Sequence, residues 1–294
     1  MPIRTTIAML AVSSALVFGQ KKPEPGVETQ MILTVADHTS HKPAALKAGD
    51  VTILDATITE MQALDGDLQL YLLIDDAANY DFSRKLRELI QFVGEHPTTV
   101  PIGLAYIHDG SLQVVDTPTT DRAKLVHDLR LPSGSKAANP YCALSDLMAQ
   151  WKQPTLRREI ILVSTGIDDT ATDGAVCANA ETTIRDAERS GVQIFGLYNP
   201  VPDYLTSSWS KVDSGITDLA HVCYESGGEA YLQGHSPLDS IKPYLDDIAE
   251  HLQHQYLVKF RITPDTDPGM RTIFVMTGGS NPEVMTPQAV WVRR

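Results

Sequence analysis

Residues 68–75 (Leu-Gln-Leu-Tyr-Leu-Leu-Ile-Asp) form a near-continuous apolar run that ends on a carboxylate. A run of that length with no polar alternation fits a strand covered on both faces, which is the situation of a central strand in a parallel sheet. The next segment has a different period. Phe82, Leu86, Leu89, Ile90 and Val93 fall on one helical stripe, with Asp81 placed to cap it. Further apolar runs at 100–107, 159–164 and 192–198 alternate with helical patterns at 121–129, 140–151, 178–190 and 216–225. A long closing helix is expected over 238–255, and a short strand at 229–233 precedes it. Asp109-Gly110 is a two-residue hairpin signal, so 111–116 should return as an antiparallel edge strand. Strand–helix alternation at this spacing predicts an α/β fold: a doubly wound, mostly parallel sheet with one antiparallel edge strand.

The ends of the chain have a different pattern. Strands are expected at 31–35 and 51–58, before any helix, and at 256–262, 271–277 and 289–292, after the last one. Isolated hairpins are marginal in water, so the early and late strands are expected to pair as one small β module. The chain therefore divides into a signal peptide (1–19), a linker (20–29), an N-terminal β segment (30–66), the α/β domain (67–255) and a C-terminal β segment (256–294) packed against 30–66. The signal reading rests on Arg4, the apolar stretch 7–18, and Val17 and Gly19 at the positions favoured by signal peptidase. It predicts export to the periplasm or the extracellular space, with no transmembrane segment after cleavage. An uncleaved N-terminal anchor is the other reading of the same stretch.

A net charge of −13 would repel phosphate backbones and anionic lipid, which excludes nucleic acid as a natural partner. The nucleophile elbow, the phosphate-binding loop and paired zinc motifs are all missing from the sequence, so no enzyme class is indicated. Cys142, Cys177 and Cys223 fit no zinc spacing. Cys142 and Cys177 both lie near starts of helices that come after strand ends, where a disulfide between them is one reading and free buried thiols the other. Cys223 is expected in the core. His251 and His254 sit three apart on the closing helix without an evident third ligand, and an exposed polar face is the expectation; His38 and His41 lie in a loop.

In open α/β sheets ligands bind at the carboxyl ends of the strands. Here those ends carry Asp75-Asp76-Ala77-Ala78-Asn79, Ser164-Thr165-Gly166-Ile167-Asp168-Asp169 and Tyr198-Asn199-Pro200. The element order, the strand ending in Asp75, the Asp109-Gly110 hairpin and the Thr165-Gly166 turn resemble a von Willebrand factor type A domain. Leu-Leu-Ile-Asp-Asp (72–76), Leu-Arg-Leu-Pro (129–132), Ser-Asp-Leu-Met (145–148), Arg-Arg-Glu-Ile (157–160) and His-Gln-Tyr-Leu (254–257) resemble, more narrowly, a bacterial VWFA-related group. The resemblance covers about residues 28–294.

It implies a metal-ion-dependent adhesion site, in which hard oxygens hold a divalent cation with one position open to a ligand carboxylate. Asp75 matches the first aspartate of that site. Ala77 and Asn79 replace its serines, Thr165 stands where its late aspartate belongs, and residues 139–141 offer no match for its threonine. Two readings compete. In one, an altered site holds Mg²⁺ or Ca²⁺ through Asp75, Asp76, Asn79 and Asp168; in the other, the site is lost and these are solvated loop residues. A second candidate surface is the loop 198–211, where Tyr198, Tyr204 and Trp209 would contact a protein or peptide ligand unless they fold back onto the domain. The expected function is an exported, non-enzymatic, adhesion-type binding module acting through the rim of the sheet. The alternatives are a scaffold whose β module pairs with another envelope protein, and an enzyme using the acidic rim.

Overall fold

The computed structural model describes residues 26–36, 45–135, 137–151, 157–169, 177–202, 208–263, 268–278 and 283–293. The expected signal peptide and most of the expected linker lie outside these, as do Tyr204, His38 and His41.

Six strands form the main sheet: β4 (Leu68–Asp75), β5 (Ile102–His108), β6 (Ser111–Thr119), β7 (Arg157–Ser164), β8 (Val192–Tyr198) and β9 (Ala230–Tyr231). Their order is β6-β5-β4-β7-β8-β9, parallel except for β6. Asp109 and Gly110, at φ 46° and 71°, make the tight turn that sends β6 back along β5.

The period of two along β4 sorts the core. Leu70, Leu72 and Ile74 pack on one face with helices α1 (Phe82–Glu95), α2 (Arg122–Asp128) and α6 (Lys242–Gln253). Tyr71 and Leu73 pack on the other with α3 (Pro140–Gln150), α4 (Ala180–Ser190) and α5 (Trp209–Glu225). Asp121, Asn139 and Asn179 cap their helices through side-chain oxygens. Among the described residues no helix is long and apolar enough to cross a membrane.

Eight strands among the described residues build the β module. β1 (Val27–Ala36), β3 (Ala56–Ala63), β10 (Gln255–Ile262) and β13 (Glu283–Met285) form an antiparallel sheet in the order β13-β1-β10-β3. Two-stranded ribbons β2 (Val51–Ile53) with β12 (Val275–Thr277), and β11 (Gly269–Thr272) with β14 (Ala289–Val292), close a third core around Leu33, Val258 and Phe260. A buried polar network joins the module to the main sheet. The Gln255 amide donates to Thr34 Oγ1 (3.1 Å), Glu159 Oε1 (3.0 Å) and Gln193 Oε1 (2.7 Å), and Arg157 Nε donates to Gln255 Oε1 (2.7 Å).

Several expected boundaries move. The strand at 51–58 breaks at Leu54-Asp55, because Asp55 takes a left-handed φ of 57° that no strand residue holds. The helix expected from 216 begins at Trp209, nearly two turns earlier. The closing helix starts at Lys242 and stops at Gln253, since Gln255 is needed as the first residue of β10. The strand at 271–277 is two strands of different ribbons. Asp81 occupies the first cap position, but its left-handed backbone (φ 41°) leaves its side chain without the capping bond.

Candidate functional site

The rim at the carboxyl ends of β4, β7 and β8 is built on Asp75. Its Oδ1 accepts from Ala77 N (2.9 Å) and its Oδ2 from Ser164 Oγ (2.9 Å), so the side chain bolts two neighbouring strand ends together. Asp75 is fully buried, which pushes its carboxyl up to about 6 against the pull of those hydrogen bonds, with the Asp76 charge adding to the rise.

Asp76 is also buried, and its two oxygens are fully engaged. Arg130 donates from Nη1 to Oδ1 (2.8 Å) and from Nη2 to Oδ2 (3.0 Å). Ser133 donates its amide to Oδ1 (3.1 Å) and its hydroxyl to Oδ2 (2.8 Å), and His108 Nδ1 shares a 2.9 Å bond with Oδ2. Burial alone would raise this carboxyl; the bonds from Arg130, Ser133 and His108 outweigh it and hold the group below the usual carboxylate range. The guanidinium is itself placed by Tyr106, whose ring centre lies 3.8 Å below it and whose hydroxyl accepts from Arg130 N (2.8 Å).

The other two members of the expected cation set sit apart from this pair. Asn79 is half-buried, beside Gly134. Asp168 is half-buried too, and its charge acts on Tyr141 and Asp218. Asp169, next to it, is paired with Lys211 and accepts from Ala138 N (3.1 Å). Among the described residues, the carboxylates of Asp75, Asp76 and Asp168 do not gather within 4.8 Å of one another. A divalent cation therefore does not fit this donor set as folded: Asp76, one of its members, already holds a guanidinium in bidentate contact.

The aromatic candidates also separate. Tyr198 is 2% exposed and belongs to the core under α3 and α5, so it offers no surface to a partner. Trp209 is 53% exposed at the start of α5, its ring edge-on to His235 at 4.9 Å. Cys142 and Cys177 are bonded, with Cα atoms 5.5 Å apart, tying the start of α3 to the segment before α4; Cys223 is a buried thiol. His251 is 3% exposed and packs against Phe195, which corrects the expectation of a solvated histidine pair.

Arg130 enters the sequence reading only within the Leu-Arg-Leu-Pro motif, Ser133 and His108 not at all, and none of the three is linked there to Asp76. They come from loops and a strand end 32 to 57 positions from Asp76, and only the fold brings them together.

A second feature lies away from the rim. A cleft of about 680 Å³ opens between α5 and the β module, lined by Leu54, Tyr224, Phe274, Met276, Glu229 and Glu283 among others. Leu54, Tyr224, Phe274 and Met276 are 53–60% exposed.

No family model and no curated protein matches the chain. Solved structures similar to it include an aerotolerance-related membrane protein from Bacteroides fragilis NCTC 9343, at 14% identity over 63% of this chain and 98% of that one (TM-score 0.48). A von Willebrand factor type A protein from Catenulispora acidiphila is 8% identical over 93% of this chain and 74% of that one (TM-score 0.42). A pilus adhesin from Lactobacillus rhamnosus GG is 8% identical over 83% of this chain, which spans 47% of that one (TM-score 0.47). By its own strand order, a doubly wound sheet with a single antiparallel edge strand, the chain is von Willebrand factor type A-like in fold.

Proposed function

We propose that this chain is an exported, non-enzymatic protein-binding module, working in the periplasm or outside the cell, that grips an extended apolar segment of a partner protein in the cleft between α5 and the β module. The observation that carries this reading is the clustering of exposed large hydrophobic side chains. Of the eight such residues among those described, four (Leu54, Tyr224, Phe274 and Met276) line this one cleft. Contiguous apolar surface of this kind marks interaction sites on soluble proteins. Glu229 and Glu283 on the same lining favour a basic residue in the bound segment. The Cys142–Cys177 bond supports export, because such bonds persist in oxidising compartments. In this reading the rim is a degenerate adhesion site whose positive charge is the Arg130 guanidinium rather than a metal.

The test is site-specific photo-crosslinking in the native host. A crosslinker at Met276 should capture one defined protein, and Phe274→Asp should abolish that product. A crosslinker at the exposed Val115, on the edge strand, should not capture it. Capture of the same protein from Leu131, beside the rim, with none from Met276 would return the function to the rim. Equal capture from Met276 and Val115 would sink the proposal.

A further inference from the structure

A cluster of side chains of metal-ligating type lies between the start of β9 and helix α6, away from the rim aspartates in sequence. Asp247 and His251 stand one turn apart on α6 and so face the same way. Glu229, just before β9, completes the set: one carboxylate oxygen from each acid and one imidazole nitrogen all lie within 4.8 Å of one another. We propose that Glu229, Asp247 and His251 form a binding site for one borderline transition-metal ion, Zn²⁺ being the type.

Three features suit such an ion. His251 Nε2 lies 3.8 Å from Asp247 Oδ1. Zinc takes nitrogen and carboxylate oxygen at about 2.0–2.2 Å, which sets tetrahedral ligands roughly 3.3–3.6 Å apart, so closing the set needs only a side-chain adjustment. The donors are preorganised. The His251 ring is buried and lies over Phe195, with centroids 6.5 Å apart and planes 23° off parallel. The backbone at Glu229 is tied to the sheet through its carbonyl, which accepts from Gly196 N (2.8 Å). Asp247 is oriented from behind, since the Tyr231 hydroxyl donates to its Oδ2 (2.7 Å), as outer-shell groups do around metal ligands. Finally, the half-buried carboxylates of Glu229 and Asp247 meet beside the buried imidazole, and a divalent cation would relieve their mutual repulsion. An imidazole in the set disfavours Ca²⁺ and Mg²⁺, which prefer oxygen alone.

The test is equilibrium dialysis of the full chain against Zn²⁺, with Ca²⁺ as a parallel arm and Co²⁺ as a spectroscopic probe. One Zn²⁺ per chain should be retained, Co²⁺ should give visible d–d bands, and Ca²⁺ should not compete. Asp247→Asn and Glu229→Gln, both at half-buried positions, should each weaken Zn²⁺ at least tenfold and remove the Co²⁺ bands while far-UV circular dichroism stays unchanged. The surface pairs His221–Glu225 and His235–Asp213 are the competing sites, so the double variant His221→Ala, His235→Ala should bind as the parent does. No retained Zn²⁺, or full affinity in Asp247→Asn, overturns the proposal. His251→Gln is a further arm, read only where its circular dichroism matches the parent. Glu229 also lines the cleft, so the dialysis is run on the purified chain without a partner, and Asp247→Asn, outside the cleft lining, separates the two sites.

Discussion

The guanidinium of Arg130 forks onto both oxygens of Asp76, at 2.8 and 3.0 Å, across a separation of 54 residues. Asp76 is fully buried while Arg130 is 39% exposed, so the pair is strongly asymmetric. Removing the arginine leaves a buried carboxylate without its main partner, whereas removing both leaves neither charge. Arg130→Ala should therefore destabilise the fold by about 2 kcal/mol, a figure discounted from the usual cost of breaking a buried pair because solvent reaches one side. Arg130→Ala combined with Asp76→Ala should cost less than the sum of the two single changes. Urea unfolding of the four proteins in the cycle gives the coupling, and additive losses would mean the fork is incidental.

The same contact governs cations at the rim. Calorimetric titration with Mg²⁺ should show no difference between the parent chain and Asp75→Ala, because the donor set is already closed by Arg130 and Ser133. Binding lost specifically in Asp75→Ala would revive the altered adhesion site expected from the sequence.

Glu159 is fully buried in the network that joins the sheet to the β module, and burial pushes its carboxyl up to about 8 despite the Gln255 bond and the nearby Arg157. The native protein thus keeps this proton at neutral pH, while the unfolded chain releases it near 4.5. A raised folded value means the contribution is complete below about pH 4.5 and is lost as pH rises through about 8. Urea unfolding at pH 5, 6.5 and 8 should show the parent losing stability relative to Glu159→Gln across that window, by up to about 1 kcal/mol per pH unit. A difference that stays constant with pH would mean Glu159 is ionised in the fold. Asp75 and Glu188 are raised too, so the comparison with the variant, rather than the parent's own slope, is the measurement.

How much could be read ahead of the structure depends on how local each signal is. The sheet was legible because its strands are covered on both faces, and runs such as Leu70 to Ile74 declare that without reference to partners. The Asp109-Gly110 hairpin was legible because two adjacent left-handed residues leave few sequence choices. Boundaries slipped where tertiary demands overrode local pattern, as at Gln255, whose amide is claimed by Thr34, Glu159 and Gln193. At the rim, Asp75 and Asp76 were visible, since they end an apolar strand. The role of Asp76's partners was not: His108, Arg130 and Ser133 carry no periodicity and meet Asp76 only through folding. His251 was misread as solvated for a related reason, because helical spacing alone cannot say that Phe195 lies under its ring.

The Cys142–Cys177 bond closes a loop with a sequence separation of 35 between elements on one face of the sheet. A loop of that size restricts the unfolded chain by about 3–4 kcal/mol in the chain-entropy account. Reductant should lower the melting temperature of the parent and leave that of Cys142→Ser, Cys177→Ser unchanged. Cys223 should stay unlabelled by a thiol reagent in the native state, because it is fully buried and its thiol is pushed well above the ordinary value.

Gly166 and Gly191 allow backbone strain to be separated from packing at the rim. Both hold left-handed backbones, at φ 70° and 66°. At Gly191 a methyl group would meet nothing within 4 Å, so Gly191→Ala should cost only the conformational term, about 1 kcal/mol. At Gly166 the same methyl would run into the carbonyl of Gly215 on α5, a backbone group that cannot rotate away. The turn cannot retreat either: Gly166 N donates to Ser164 Oγ (3.1 Å), and its carbonyl accepts from the buried Tyr141 hydroxyl (2.7 Å). Gly166→Ala should therefore cost about 2–3 kcal/mol more than Gly191→Ala, the penalty of overpacking a closed contact. Because Ser164 Oγ also donates to Asp75, the variant should loosen the rim itself, seen as faster amide exchange at Ala77. Equal costs at the two glycines would show that α5 gives way, and that the β7 turn and α5 are not the rigid pair their contact implies.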